Sequence, residues 1–66
     1  MDSKTYQEIL YEEHKTLIFS KKLTADVLHS SASTIDRLRK EGKLKSKKIG
    51  GRIFFSIKTI ADYLCD

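Results

Sequence analysis

The chain has 66 residues, a formal net charge of +4 and one cysteine. That length predicts a single small domain, 1–66, with a marginal core. The lone Cys65 cannot form an internal disulfide, which excludes disulfide-stapled secreted folds and fits a reducing compartment. No apolar run approaches the roughly 20 residues of a membrane span. The start, Met1-Asp2-Ser3-Lys4, lacks the features of a signal peptide. We therefore expect a cytoplasmic protein without membrane contact.

The positive charge is concentrated in one third of the chain. Residues 31–52 hold eight Lys or Arg residues against two acids and carry +6, whereas residues 1–16 carry −2. Such a patch is the electrostatic footprint of a protein that binds a polyanion. A solvated basic surface would give the same pattern, so charge alone does not separate the two interpretations.

The first elements in chain order are a helix and a short β-prone run. Tyr6, Ile9 and Leu10 recur at helical spacing and predict an amphipathic helix over 3–14, with Ser3 as its N-cap. Thr16-Leu17-Ile18-Phe19 predicts either a small edge strand or an extended connector. The acidic helix either packs on the core or contacts another protein.

The region 20–41 predicts two helices joined by a serine turn. Ser20 is placed to cap the first helix, and Ser31 is placed to cap the second, which should run from 32 to 41. Gly42 then supplies the left-handed residue that ends the second helix. The pattern predicts a helix-turn-helix, whose second helix lies in the major groove of DNA.

The outward face of that second helix is the candidate for base recognition. At about 100° per residue, Ser33, Arg37 and Lys40 fall on one side. Ser31, Ser33 and Thr34 can reach bases or phosphate from the first turn, and Arg37 can bind guanine or a phosphate. An ordinary two-helix corner with a polar outer face would share this pattern.

The other positions of the helix are predicted from the same geometry. Ala32, Ile35 and Leu38 should point inward. Asp36 fits a phosphate-binding face badly because its carboxylate would repel the ligand. It is placed to pair with Lys40 four residues later, although it could instead accept a hydrogen bond from a cytosine amino group.

A basic β-hairpin is predicted over 44–55, with its turn at Gly50-Gly51, and a final helix over 56–65, capped by Ser56. The candidate DNA-binding cations of this region are Lys43, Lys45, Lys47, Lys48 and Arg52. Such a hairpin can follow the phosphate backbone or enter the minor groove, where arginine is favoured. The lysines could also serve only to protect a sheet edge.

No metal, cofactor or catalytic site is predicted. His14, His29 and Cys65 are scattered along the chain and match no zinc spacing. Gly50-Gly51 lacks the surrounding pattern of a nucleotide-binding loop. Two histidines without an identifiable pocket support no catalytic triad, so we expect a binding protein and not an enzyme.

Several short motifs follow one another in an order that resembles a known family. They are Ala25, Ser31, Ser33, Thr34, Arg37, Gly42, Lys43-Leu44, Ile49-Gly50-Gly51-Arg52, Phe55 and Leu64. From Leu23 to Leu64 the sequence resembles the excisionase-type winged helix-turn-helix family, small relatives of the DNA-binding domain of MerR regulators and of AlpA-like regulators. It departs at Asp36, where the family commonly has an aromatic or basic residue. It also departs at His29, where glycine is frequent, which predicts a less tight turn.

The resemblance implies an α+β, mostly α-helical fold: a winged helix-turn-helix with a two-stranded hairpin as its wing and an extra N-terminal helix. It implies a phage or mobile-element protein that binds double-stranded DNA in a bacterial nucleoid. Such a protein bends DNA to direct an integrase towards excision. Because the chain stops soon after Leu64, we expect a monomer in solution that assembles side by side on DNA.

Two other functions remain open. One is a small transcriptional regulator of phage or plasmid genes. The other, from a different class, is a protein-interaction module whose acidic N-terminal helix and basic hairpin bind a protein partner without DNA.

Overall fold

Four helices and a three-stranded antiparallel sheet make up the computed structural model, which describes residues 1–66. The elements in chain order are α1 Ser3–His14, β1 Ile18–Ser20, α2 Lys21–Val27, α3 Ala32–Lys40, β2 Lys47–Ile49, β3 Arg52–Ser56 and α4 Ile57–Cys65. The strand order is β1-β3-β2, so β3 is central. The fold is therefore α+β and mostly helical, as predicted.

Side-chain caps begin all four helices. Three serines, each accepting a hydrogen bond from the backbone N–H three residues later, cap α2, α3 and α4 as predicted: Ser20, Ser31 and Ser56. The predicted cap of α1 is wrong by one residue. Asp2 is the cap and accepts from the Thr5 N–H at 2.9 Å, because Ser3 is already helical. These hydrogen bonds hold the pKa of Asp2 below its ordinary value.

Helices α2 and α3 end in the same type of turn. After α2, the Ser30 N–H donates to the Ala25 carbonyl at 2.8 Å, and the equivalent bond after α3 measures 2.9 Å. The left-handed residue is His29, with φ 53°, in the first turn and Gly42, with φ 80°, in the second. The expectation of a less tight turn at His29 is wrong, because the histidine adopts the conformation that glycine favours.

The hairpin turns where it was predicted to turn. Gly50 and Gly51 have φ values of 58° and 81°, which side chains resist. The segment before α2, whose structure was left open, is a strand: β1 pairs with β3, and Phe19 lies opposite Phe55. The sheet consequently has three strands, one more than the expected two-stranded wing.

Thr16 covers the free edge of β1. Its hydroxyl donates to the Ile18 carbonyl at 2.9 Å and accepts from the Ile18 N–H at 3.4 Å. Both backbone groups of Ile18 thus have a partner on the side of β1 that faces away from β3.

The core lies between the helices and one face of the sheet. Its largest apolar side chains are almost inaccessible to solvent: Phe19, Ile35, Leu44, Phe55 and Ile60. Leu44 follows α3, and its backbone N–H donates to the Leu38 carbonyl at 3.3 Å, so it anchors the segment between α3 and the hairpin. Ile35 and Leu38 are buried as predicted, but Ala32 is exposed. The inward prediction for Ala32 is wrong because α3 reaches the core only at Ile35.

Helix α1, which precedes the region of the family resemblance, lies against α4. The start of α1 meets the end of α4: the Ser3 hydroxyl donates to Asp62, and the Cys65 thiol lies 3.4 Å from the Met1 carbonyl. Leu10 is the buried residue of α1, and Tyr6 packs against the core beside it. Of the two roles left open for α1, packing on the core is therefore observed.

Candidate nucleic-acid interface

Most cations of the basic region have no acidic partner. The following side chains lie more than 4.0 Å from any carboxylate oxygen: Arg37, Lys40, Lys45, Lys47, Lys48 and Arg52. All six are exposed. Unpaired exposed cations keep their full charge towards solvent, so the basic region, 31–52, presents positive charge to any ligand that approaches it.

The outward face of α3 has the predicted composition. Ser33, Arg37 and Lys40 line one open concavity together with Asp36 and Glu41, and no apolar side chain contributes to it. The three predicted residues are therefore neighbours on one polar surface. We call this face of α3, together with the exposed hairpin cations Lys47, Lys48 and Arg52, the cationic surface.

Ser31 and Thr34 form the N-terminal cap of α3. The Thr34 N–H donates to the Ser31 hydroxyl at 3.2 Å, and the two side-chain hydroxyls are hydrogen-bonded to each other at 3.1 Å. Thr34 is also half-buried. Their role in this geometry is to begin α3 and orient it, while Ser33 is the residue of the first turn whose hydroxyl makes no hydrogen bond within the chain.

Asp36 pairs with different cations from the one predicted. Lys21 of α2 places its Nζ 3.2 Å and 3.1 Å from the two carboxylate oxygens, and Arg39 lies at 3.4 Å. The predicted Asp36–Lys40 pair is wrong, because a lysine from the neighbouring helix reaches the carboxylate. The hydrogen bond from Lys21, followed by that from Arg39, holds the pKa of Asp36 below its ordinary value. The interaction joins α2 to α3 and leaves Lys40 free.

The hairpin carries cations on both of its faces. Ile49 lies opposite Arg52 and Lys47 opposite Phe54, so these side chains share one face of the sheet. Lys48 lies opposite Ile53, on the other face. Every residue of β2 is exposed. The hairpin is thus a projecting ribbon that can present charge to a ligand on either side.

Lys43 and Lys45 point to another part of the molecule. Lys43 pairs with Glu41 at 3.6 Å. Both lysines line a cavity shared with α4, where Lys58 and Asp62 also contribute. The structure therefore places these two predicted site residues away from the concavity that the α3 face forms.

Two lysines that the sequence analysis did not select lie beside the hairpin. Lys21 and Lys22, in the first turn of α2, line one groove together with Gly51 and Arg52. Lys21 is engaged by Asp36, whereas Lys22 is exposed and has no acidic partner. The pair of lysines after Ser20 was the available signal, but their proximity to the hairpin depends on the pairing of β1 with β3.

The chain has no cluster of metal ligands, no membrane-spanning helix and no match in the comparisons with known proteins. No group of three or more His, Cys, Asp or Glu side chains is placed to hold a metal ion. None of the four helices has the length and apolar character needed to cross a bilayer. Comparison with protein-family models, with curated proteins and with solved structures gave no match for this chain.

Proposed function

We propose that this chain is a sequence-specific double-stranded DNA-binding protein built as a winged helix-turn-helix. In this proposal α2 and α3 are the helix-turn-helix, α3 lies in the major groove, and the β2–β3 hairpin is the wing on the adjacent minor groove. The observation that carries the proposal is the cationic surface, whose five cations on α3 and the following hairpin have no acidic partner: Arg37, Lys40, Lys47, Lys48 and Arg52.

The dimensions and chemistry of α3 support this assignment. The nine residues of α3 form a helix about 13 Å long and, with side chains, about 10–12 Å in diameter, which fits a major groove about 12 Å wide. Ser33 and Arg37 lie one turn apart, so both can approach base edges, while Lys40 in the last turn can approach a phosphate. The concavity that they line has no apolar side chain, whereas protein–protein interfaces usually have an apolar centre.

The hairpin supports a second contact beside the first. Arg52 follows the glycine turn, and arginine is the residue favoured in a narrow minor groove. Lys47 and Lys48 on opposite faces of β2 suit two phosphate strands that border a groove. Lys22 adds a phosphate contact at the start of α2, next to the wing.

Within this class we propose an excisionase, a recombination directionality factor that bends DNA to direct integrase-mediated excision. Its support is the ordered set of motifs from Ala25 to Leu64 and the one-sided neutralisation of phosphates, which favours bending. The proposed assembly is a monomer in solution that binds side by side on repeated sites. A small phage or plasmid transcriptional regulator is the second candidate, because the same cationic surface would serve it.

A salt series tests DNA binding directly. Fluorescence anisotropy of a labelled duplex, between about 50 and 200 mM salt, should give a log–log slope of about −4.5 to −6.3 if about five to seven phosphates are contacted. A slope near zero, or no binding at the lowest salt, would overturn the proposal and favour the protein-interaction module.

Footprinting and a bending assay then separate the two candidates. Tandem protected sites with a bend between them support the excisionase. One protected site at a promoter, without a bend, supports the regulator.

A further inference from the structure

A second surface, on other elements, combines an apolar floor with an acidic rim. It is a groove of about 390 Å³ between α1, the end of α2 and the end of α4. Its floor consists of five apolar side chains: Tyr6, Ile9, Leu10, Val27 and Leu64. Ile9 is 43% exposed there, so its side chain is accessible to a ligand in the groove.

The rim of this groove is negative in a protein whose net charge is positive. Glu13 and Asp26 border it, and no Lys or Arg lines it. Asp26 has no cation within 4.0 Å, and the one basic group near Glu13 is His14 at 3.7 Å. The last turns of α2 and α4 also face it, and helix C-termini carry partial negative charge. We call this surface the anionic groove.

The charge and the floor together define one kind of occupant. The carboxylates of Glu13 and Asp26, the second without a cationic partner, and two helix C-termini attract cations. An apolar floor flanked by these charges binds an apolar side chain better than a phosphate, a sugar or a free metal ion. DNA is excluded from the groove by repulsion between its phosphates and the carboxylates.

We infer that the anionic groove binds a partner protein through a segment in which an apolar side chain is flanked by Lys or Arg residues. The apolar side chain covers Ile9 and Leu64, and the flanking cations pair with Glu13 and Asp26. This function is additional to DNA binding, because the groove shares no residue with the cationic surface.

A second copy of the chain offers similar chemistry, because Ile49 in the hairpin is flanked by Lys48 and Arg52 across the turn. Under the proposed function that hairpin is occupied by DNA. A different protein is therefore the expected occupant, and self-association becomes an outcome that the experiment must detect.

The first test uses a synthetic amphipathic peptide of leucine and lysine, followed by NMR mapping of backbone amide shifts on the full chain. We expect saturable shifts at Ile9, Glu13, Asp26 and Leu64. A peptide with glutamate in place of lysine, and one with serine in place of leucine, should not bind. Three results would each overturn the inference: no shifts with the lysine peptide, equal binding of the glutamate peptide, or shifts centred outside the anionic groove.

Charge-reversal variants with the same net charge test the rim. E13K/D26K should weaken binding of the lysine peptide about tenfold or more. The matched variant E8K/E12K changes the net charge equally on the other side of α1 and should leave binding unchanged. Equal weakening in both variants would mean that only net charge acts, which would overturn the site.

A matched pair of exposed isoleucines tests the floor without disturbing the core. Ile9 and Ile18 are both 43% exposed. Ile9→Ser should weaken peptide binding about three- to tenfold, and Ile18→Ser should not. Equal effects, or concentration-dependent dimerisation of the unmodified chain that Ile9→Ser abolishes, would overturn the partner assignment.

Parallel DNA titrations keep this inference separate from the proposed function. E13K/D26K should bind duplex DNA at least as well as the unmodified chain. If a variant loses peptide binding but still binds DNA, the change affects the anionic groove alone. If the chain binds the peptide but not DNA, the proposed DNA-binding function is wrong and the inference about the groove is unaffected.

Discussion

The cationic surface and the anionic groove are both exposed, and both contain charged side chains without ion-pair partners. They differ in the number of apolar side chains that lie beside those charges. The concavity on α3 has no apolar side chain, whereas the groove beside α1 has five. A surface that offers only charge and hydrogen bonds suits a ligand of regularly spaced phosphates. A surface that adds an apolar floor suits a folded or extended protein segment.

The comparison also shows how the chain distributes its charges. Some charges are paired within the chain: Asp36 with Lys21 between α2 and α3, and Asp62 with Lys58 on α4 at 2.8 Å. Unpaired like charges destabilise a small domain by repulsion. The cationic surface attracts anions, and the anionic groove attracts cations.

The largest expected effect is a loss of stability when the residue that anchors the cationic surface to the core is shortened. Leu44 is 1% exposed and anchors the segment that joins α3 to the hairpin. Leu44→Ala should lower the free energy of unfolding by about 2–5 kcal/mol, measured by urea denaturation. A domain of this size has only about 3–5 kcal/mol, so much of the variant should be unfolded. Ile9→Ala, on the exposed groove floor, should cost less than about 1 kcal/mol. Equal losses would contradict the anchoring role.

The next largest effects are on DNA binding, and they distinguish the α3 face from the hairpin within the cationic surface. Arg37→Ala should cost about 1–3 kcal/mol of binding to the specific site and lower discrimination against random DNA, because in the proposed complex the side chain reaches base edges. Lys47→Ala should weaken binding to all duplexes alike and reduce the salt slope by about 1. Anisotropy titrations on specific and random duplexes measure both. If both variants lose affinity equally on the two duplexes, α3 and the hairpin do not divide recognition in this way.

A smaller effect compares the turns that precede and follow α3. His29→Gly should stabilise the chain by about 0.5–1 kcal/mol, because glycine adopts the left-handed conformation without the strain of a side chain. Gly42→Ala should destabilise it by about 1 kcal/mol for the same reason. No atom lies within 4 Å of a Cβ built on Gly42, so the cost would be purely conformational. Thermal unfolding measures the two shifts, and shifts of the same sign would contradict the equivalence of the turns.

The smallest effect concerns the acid side of the stability curve. The pKa of Asp36 is lowered in the folded state from 3.8, chiefly by Lys21. Its contribution is therefore present above pH 3.8 and is lost as the pH falls through the lowered value. Asp36→Asn should unfold at a lower temperature at neutral pH and lose less on acidification below pH 3.8. Asp26→Asn, which removes a carboxylate without an ion pair, is the control. An unchanged acid response in Asp36→Asn would show that the Lys21 pair adds no stability.

Local signals in the sequence predicted most of the elements. The serines Ser20, Ser31 and Ser56 mark helix starts because their caps involve only the next three residues. The glycine pair marks the hairpin for the same reason, since positive φ is a property of the turn itself. The outward grouping of Ser33, Arg37 and Lys40 follows from helical periodicity alone.

Several of the predictions that failed depended on which elements are neighbours in space. Asp36 pairs with Lys21 because α2 lies beside α3, and periodicity within α3 contains no information about that neighbour. Lys43 and Lys45 turn towards α4, and Lys22 lies near Arg52, for the same reason. His29 adopts a conformation that a propensity argument disfavours, because the turn between α2 and α3 requires it.

The hydroxyl of Thr16 determines how copies of the chain can contact one another at high concentration. By occupying both backbone groups of Ile18, it removes the template on which a strand from another chain would add. On the opposite edge, β2 is short and carries two adjacent lysines. Molecules at high concentration therefore meet through side chains and can separate again, because neither sheet edge favours growth into a continuous amyloid-like ribbon.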